Sequence, residues 1–246
     1  MEFEIKKANG MMIRGKKYVS EEENEVLILC HGFTASMKET GQLAQGLMAR
    51  GITTYVFDFC GGGFETISDG SFNTYMTPLT EVEDLEYVVD YVLRQEGLES
   101  VCVGGCSQGG FVSCLYARNE AKVNKLVLLY PALCIPDDAR NGNMQVIQFD
   151  PENIPDVLGQ KPMQVCGDYA RSVIHINTYE EIQKCNCPIL IVHGTDDKIV
   201  PIEYVNNAKD VLGRNCEYHI LQGAGHGFYE EPYYSQALEY VENFLE

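Results

Sequence analysis

No stretch of the 246-residue chain approaches the roughly 20 consecutive apolar residues that a membrane-spanning helix needs, so no membrane role is expected. Basic residues are scarce as well: 18 Lys and Arg stand against 36 Asp and Glu, a formal charge of −18. A field of that sign repels polyanions and excludes nucleic acid as a partner. Internal repeats, low-complexity tracts and linkers are also lacking, so a single domain over residues 1–246 is expected. The first residues, Met1-Glu2-Phe3-Glu4-Ile5-Lys6-Lys7, lack the basic start and apolar block of a secretory signal, and the expected location is cytoplasmic. Cysteine is not lacking, but the ten present read as reduced thiols. Cys30, Cys60, Cys102 and Cys106 fall within or beside apolar runs, where a thiol packs as a small hydrophobe. Cys185 and Cys187 form a C-x-C with no second pair at zinc-like spacing, so no metal is expected.

What is present is a regular alternation of short apolar runs with amphipathic segments. Strands are predicted at Val26–His31, Thr53–Phe59, Val101–Cys106, Leu126–Tyr130, Ile189–His193 and Glu217–Leu221. Nearly all are unbroken in apolar character, as strands buried on both faces are. Phe3–Ile5 and Lys17–Val19 read as antiparallel edge strands. Helices are predicted at Gly41–Arg50, Pro78–Gln95, Gln108–Arg118, Glu203–Leu212 and Tyr234–Leu245. The clearest is Pro78–Gln95, where Leu79, Val82, Leu85, Val89 and Val92 recur at three- and four-residue steps, with Thr77 as N-cap and Gly97 just past the end. Strand and helix in turn imply right-handed crossovers and a mostly parallel sheet flanked by helices, an α/β fold. Cys134–Cys187 breaks the rhythm with four prolines and only short periodic pieces. Following the sixth strand, it reads as an insertion above the carboxyl edge of the sheet, where open α/β folds bind ligands; a cap over the site is expected at about 134–187, the alternative being a surface excursion with no role in binding.

Gly105-Cys106-Ser107-Gln108-Gly109 fits G-x-S-x-G between a strand and a helix, the setting in which the motif forms a strained turn exposing its serine. Ser107 is therefore the candidate nucleophile. A serine hydroxyl needs a base, and the base an orienting acid. His193-Gly194-Thr195-Asp196-Asp197 and Gly225-His226 follow later strands, in the order Ser, Asp, His. Asp196 and Asp197 compete as the acid; the spacing from His-Gly usual in such a loop selects Asp197. A capped turn is the plainer explanation of either. His226, in a Gly-rich loop after the last strand, is the candidate base. His219 reads as a packed strand residue, His193 as ordering its loop, and His175 as facing water. Oxyanion amides are expected from Gln108 and, in His31-Gly32-Phe33-Thr34, from Phe33, with a plain turn as the alternative. Gly61-Gly62-Gly63 lacks the Lys-Ser/Thr of a phosphate loop and reads as loop flexibility beside the site.

These residues, together with Phe57-Asp58-Phe59, Leu129-Tyr130-Pro131-Ala132, Asn141-Gly142-Asn143-Met144-Gln145 and Phe149-Asp150-Pro151 through Ile154-Pro155-Asp156, resemble small intracellular bacterial feruloyl (cinnamoyl) esterases of the α/β-hydrolase superfamily. The resemblance spans nearly the whole chain and implies an α/β-hydrolase fold and hydrolysis of hydroxycinnamate esters. It also implies that Asp138, Gln145 and Tyr169 lie near the phenolic substituents, where their alternative is ordinary cap polarity. One departure stands beside the serine: Cys106, where that family more often has histidine.

The expected reaction is two-step ester hydrolysis through an acyl-enzyme, with a small-molecule ester as substrate and no metal or organic cofactor. A general carboxylesterase or monoacylglycerol lipase shares the same three residues, as do acyltransferases and peptidases. A non-catalytic hydrolase-fold binding protein is disfavoured because none of the three is missing. The sequence leaves a homodimer open.

Overall fold

The computed structural model describes residues 1–21 and 25–246. The chain begins with β1 (Glu2–Lys6) and β2 (Met12–Tyr18), followed by β3 (Glu25–Cys30), α1 (Met37–Met48), β4 (Ile52–Asp58), α2 (Pro78–Glu96), β5 (Val101–Cys106), α3 (Gln108–Ala117) and β6 (Val123–Leu129). Short elements occupy the next stretch: α4 (Ile135–Arg140), the two-residue strands β7 (Asn143–Met144), β8 (Ile147–Gln148), β9 (Val157–Leu158) and β10 (Val165–Cys166), then α5 (Asp168–Arg171) and α6 (Thr178–Ile182). The chain closes with β11 (Ile189–Gly194), α7 (Ile202–Leu212), β12 (Cys216–Leu221) and α8 (Tyr233–Leu245). One sheet runs β1-β2-β4-β3-β5-β6-β11-β12. From β4 to β12 its pairs are parallel; β1–β2 and β2–β4 are antiparallel.

The alternation of side chains along each strand divides the core into two layers. Leu27 and Leu29 of β3 face the layer covered by α1 and α8, with Leu43, Leu47, Leu238 and Val241. Ile28 and Cys30 face the opposite layer, packed against α2, α3 and α7 through Leu85, Val89, Phe111 and Val205. Both faces being covered, β4, β5 and β11 are buried along their whole length, which is why their sequences are largely apolar without an alternating polar face. The antiparallel β2 is longer than Lys17–Val19 implies, because Ile13 and Gly15 turn inward while Arg14 and Lys16 project toward solvent.

Helix boundaries follow their caps. Thr77 accepts from the Thr80 amide to open α2, and Gly97, with φ of 69°, closes it in the left-handed region. The first helix starts at Met37 rather than Gly41, because Ser36 and Glu39 form a capping box upstream of the apolar periodicity. The short elements between β6 and β11 are not loosely attached. Met144, Ile147, Leu158, Val165, Tyr169 and Ile182 are buried in the same core layer as the sheet and α3. The glycines at 61–63 are not a flexible loop. All three are buried, and a Cβ on Gly63 would strike the Ala35 carbonyl oxygen at 1.9 Å, so the residue type reflects close backbone approach.

One buried ion pair ties the amino-terminal hairpin to α2. Lys7 Nζ donates to Asp84 Oδ1 and to Tyr75 Oη at 3.2 Å, while Asp84 Oδ2 accepts from the Cys60 amide at 2.6 Å. Neither charged side chain is exposed. Burial works against the ammonium, yet the hydrogen bond and charge of Asp84 outweigh it and push the Lys7 pKa up. Removing one partner of such a pair leaves an uncompensated buried charge, which costs about 3–5 kcal/mol. Lys7→Met is therefore expected to lose stability on that scale in urea unfolding, while Lys7→Met/Asp84→Asn, which removes the charge and keeps an acceptor for the Cys60 amide, recovers most of it.

Candidate active site

Ser107 sits between β5 and α3 with φ of 53° and ψ of −119°, a left-handed backbone that L residues rarely adopt. Dense contacts around the turn hold it there. The Ser107 amide donates to the Leu129 carbonyl at 3.0 Å, and its own carbonyl accepts from Gly110 (3.0 Å), Phe111 (3.2 Å) and Ala132 (2.9 Å). The flanking glycines are required by space. A Cβ on Gly105 would lie 2.2 Å from the Gly109 carbonyl carbon, and one on Gly109 would lie 2.3 Å from the His31 carbonyl oxygen.

His226, on the loop after β12, presents Nε2 to Ser107 Oγ at 2.9 Å and Nδ1 to Asp197 Oδ2 at 2.8 Å. The edge of its ring meets Tyr130, centroids 4.9 Å apart. Asp197 follows β11 and combines two functions that the sequence offers as alternatives. Its Oδ1 accepts from the Ile199 and Val200 amides at 2.8 and 2.9 Å, a turn cap, while Oδ2 holds the imidazole. Burial opposes its charge, but the hydrogen bonds of His226, Val200 and Ile199 outweigh that and hold its pKa below the usual carboxylate range. Asp196 is exposed and accepts from Thr195 Oγ1 at 3.1 Å. His193 is fully buried, bonds the Val200 carbonyl at 3.0 Å, and is kept from protonating chiefly by desolvation. His219 stacks on Tyr240, and His175 is exposed. The geometry of Ser107, His226 and Asp197 can pass a hydroxyl proton to an imidazole whose cationic form is stabilised by a carboxylate.

The Gly32–Phe33 turn presses against the same serine: a Cβ on Gly32 would lie 3.1 Å from Ser107 Cβ. Phe33 is half-buried rather than a core residue; its ring packs on Phe72 and Tyr169. Gln108 opens α3, so its amide belongs to the first turn, whose N–H groups lack intrahelical acceptors. The Gln108 side chain carries a hydrogen-bond chain of its own. Nε2 donates to Glu81 Oε2 at 2.8 Å, and Oε1 accepts from Tyr169 Oη. Glu81 is missed by sequence reasoning, since an acid in the first turn of α2 is ordinary helix chemistry. Here it is buried, and desolvation pushes its pKa well up.

A cavity of about 460 Å³ opens beside Ser107, and its lining brings together Phe33, Gln108, Asp138, Gln145 and Tyr169. Ile135, Met144, Ile147 and Val200 supply apolar wall; Lys198 and Asn143 add polarity. Tyr169 is buried, Asp138 half-buried and Gln145 exposed, with φ of 56°. Burial raises the Asp138 pKa, the Cys134 thiol partly offsetting it. Cys185 and Cys187 pack in the core, and the Cys185 thiol donates to the Cys114 carbonyl at 3.6 Å. Among the described residues, no helix is long and apolar enough to cross a membrane.

A family model described as "Serine aminopeptidase, S33" matches residues 21–159. The chain belongs to this hydrolase family. It is similar to Est1E from Butyrivibrio proteoclasticus, in a structure with ferulic acid bound, at a TM-score of 0.88 and 28% identity over 99% of this chain and 97% of that one. A monoacylglycerol lipase from Paleococcus ferrophilus shares the fold at a TM-score of 0.73 and 19% identity, over 95% of this chain and 98% of that one. Among curated proteins, the thiohydrolase aneE of Aspergillus aculeatus is 28% identical over 65% of this chain, and the match spans 46% of that relative's length. The chain thus has the α/β-hydrolase fold of this family and resembles feruloyl esterases.

The Glu81 carboxyl has a measurable signature. Because its pKa is raised by folding, the folded protein holds this proton more tightly than the unfolded chain does. The stability from that proton is full below the unfolded carboxyl range and is lost as pH rises through the folded value. Glu81→Gln keeps an acceptor for Gln108 and cannot ionise. Thermal melts should show Glu81→Gln gaining on the parent as pH rises above the ordinary carboxyl range, each kcal/mol being worth roughly 2–4 °C; a pH-independent gap would refute the assignment.

Proposed function

We propose that this protein is a carboxylic-ester hydrolase of the feruloyl (cinnamoyl) esterase type, which releases hydroxycinnamic acids through an acyl-enzyme on Ser107. The observation that carries the reading is the single cavity in which Ser107 shares a wall with Asp138, Gln145 and Tyr169. An apolar-walled space with a few polar groups suits an aromatic acid bearing ring hydroxyls. Asp138, half-buried in that wall, offers a carboxyl group that can bond a ring hydroxyl. The ferulic acid in the Est1E structure supports the same acyl group. Residues 134–187 act in this reading as a cap within one domain, 1–246, and supply the cavity's acyl-recognition side.

His226 takes the Ser107 proton as Oγ attacks the ester carbonyl, and Asp197 stabilises the imidazolium. The amides of Phe33 and Gln108 meet the negative charge that develops on the carbonyl oxygen. Collapse of the tetrahedral intermediate breaks the ester C–O bond, and His226 returns its proton to the departing alcohol. Water, deprotonated by the same histidine, then attacks the acyl-enzyme, releasing the acid and restoring Ser107.

Purified protein is expected to hydrolyse methyl ferulate with a kcat/KM above that for p-nitrophenyl butyrate, and to leave an aminoacyl p-nitroanilide intact. Ser107→Ala should lose at least about 10⁴-fold in kcat, and Asp197→Asn about 10³–10⁴-fold. Cleavage of the butyrate with methyl ferulate untouched would instead indicate a general carboxylesterase or lipase. Anilide cleavage would indicate a peptidase.

A further inference from the structure

The acyl cavity takes in Ser107 but not His226. A second cavity of about 260 Å³ lies against the same serine and takes in both, sharing Phe33, Gln145 and Ile199 with the first. In the proposed reaction the departing oxygen receives its proton from His226 Nε2, so the alcohol must leave on the side where that nitrogen stands. We propose that this second cavity is the leaving-alcohol subsite, and that Glu39 makes it selective for uncharged, hydroxyl-bearing alcohols against anionic ones. The inference rests on the ester-hydrolase reading above and adds the alcohol half of the substrate.

The wall chemistry sets the preference. Thr34, Tyr130 and Tyr229 contribute hydroxyls, with Tyr130 Oη and Tyr229 Oη 2.9 Å apart. Tyr130 is buried while Tyr229 is 39% exposed, so Tyr229 is the member of the pair at the cavity's outer side. Cys106 also lines the cavity, and burial pushes its thiol up to about 12, leaving it uncharged in neutral solution. Glu39 is the carboxylate in this wall, and neither Lys nor Arg lines it. Its Oε2 accepts from the Ser36 amide at 3.0 Å and from Ser36 Oγ at 2.8 Å, which fixes the side chain in the capping box. Lys38, next to it in the chain, is paired with Glu65 at 2.6 Å. A hydroxyl donor can bond to Glu39, whereas an anionic alcohol meets a like charge in a wall that carries neither lysine nor arginine, within a chain of formal charge −18.

The test compares three esters of one hydroxycinnamic acid, with methanol, glycerol and glycerate, the last carrying a carboxylate in place of one hydroxymethyl group of glycerol. The glyceryl ester should match or exceed the methyl ester in kcat/KM, and the glycerate ester should fall roughly tenfold or more below the glyceryl one, less so at high salt. Glu39→Gln, which retains the capping geometry, should close most of that gap. Tyr229→Phe should lower the glyceryl-to-methyl ratio by about threefold, near the scale of one lost hydrogen bond. A glycerate ester within twofold of the glyceryl ester, or a gap unchanged in Glu39→Gln, would overturn the proposal. If none of the three is turned over, the hydroxycinnamate reading fails by itself, and the same alcohols as butyrate esters carry the same comparison for the subsite.

Discussion

The close packing of backbone at the end of β5 is the constraint on which the rest of the site depends. Gly105 and Gly109 bring segments nearer than any side chain would allow, Gly32 closes tightly against the serine, and Ser107 is held in a left-handed conformation between them. That turn sets the serine hydroxyl against His226 and brings Ser107 up to Gly32. A strained residue of this kind persists when its surroundings over-determine it. Here four backbone hydrogen bonds from β6, α3 and the following loop do so.

From this turn, structure leads outward in two directions. Toward α2 and the inserted segment, the side chain of Gln108 links Glu81 to Tyr169, so the residue that follows the serine is also fixed by the wall of the cavity beside it. Toward the carboxyl terminus, Asp197 joins the turn after β11 to the His226 loop. The strand order puts these loops at one edge of the sheet, although Ser107 and His226 are 119 residues apart in the chain.

Local patterns were legible in the sequence, and distant ones were not. The serine turn can be read because its glycines are neighbours, and α2 because its caps and its apolar spacing agree. Asp197 over Asp196 could be chosen by loop spacing, and the structure supplies a physical reason: Asp196 points to solvent and bonds Thr195, while Asp197 is buried against His226. Glu81 and Lys7 escaped notice because an acid on an amphipathic helix and a lysine after an edge strand usually face water. Their burial depends on packing partners far along the chain, 77 residues away for Lys7. The glycines at 61–63 were misread as mobile for the same reason, since the Ala35 backbone that crowds Gly63 belongs to another segment.

The most direct test of the central claim, that an acyl-enzyme forms on Ser107, is mass spectrometry of protein quenched within the first turnover of a hydroxycinnamate ester. A hydroxycinnamoyl adduct on the peptide containing Ser107, absent from Ser107→Ala, is the predicted result. Turnover of the ester with no adduct on that peptide, or with activity retained in Ser107→Ala, would contradict the account.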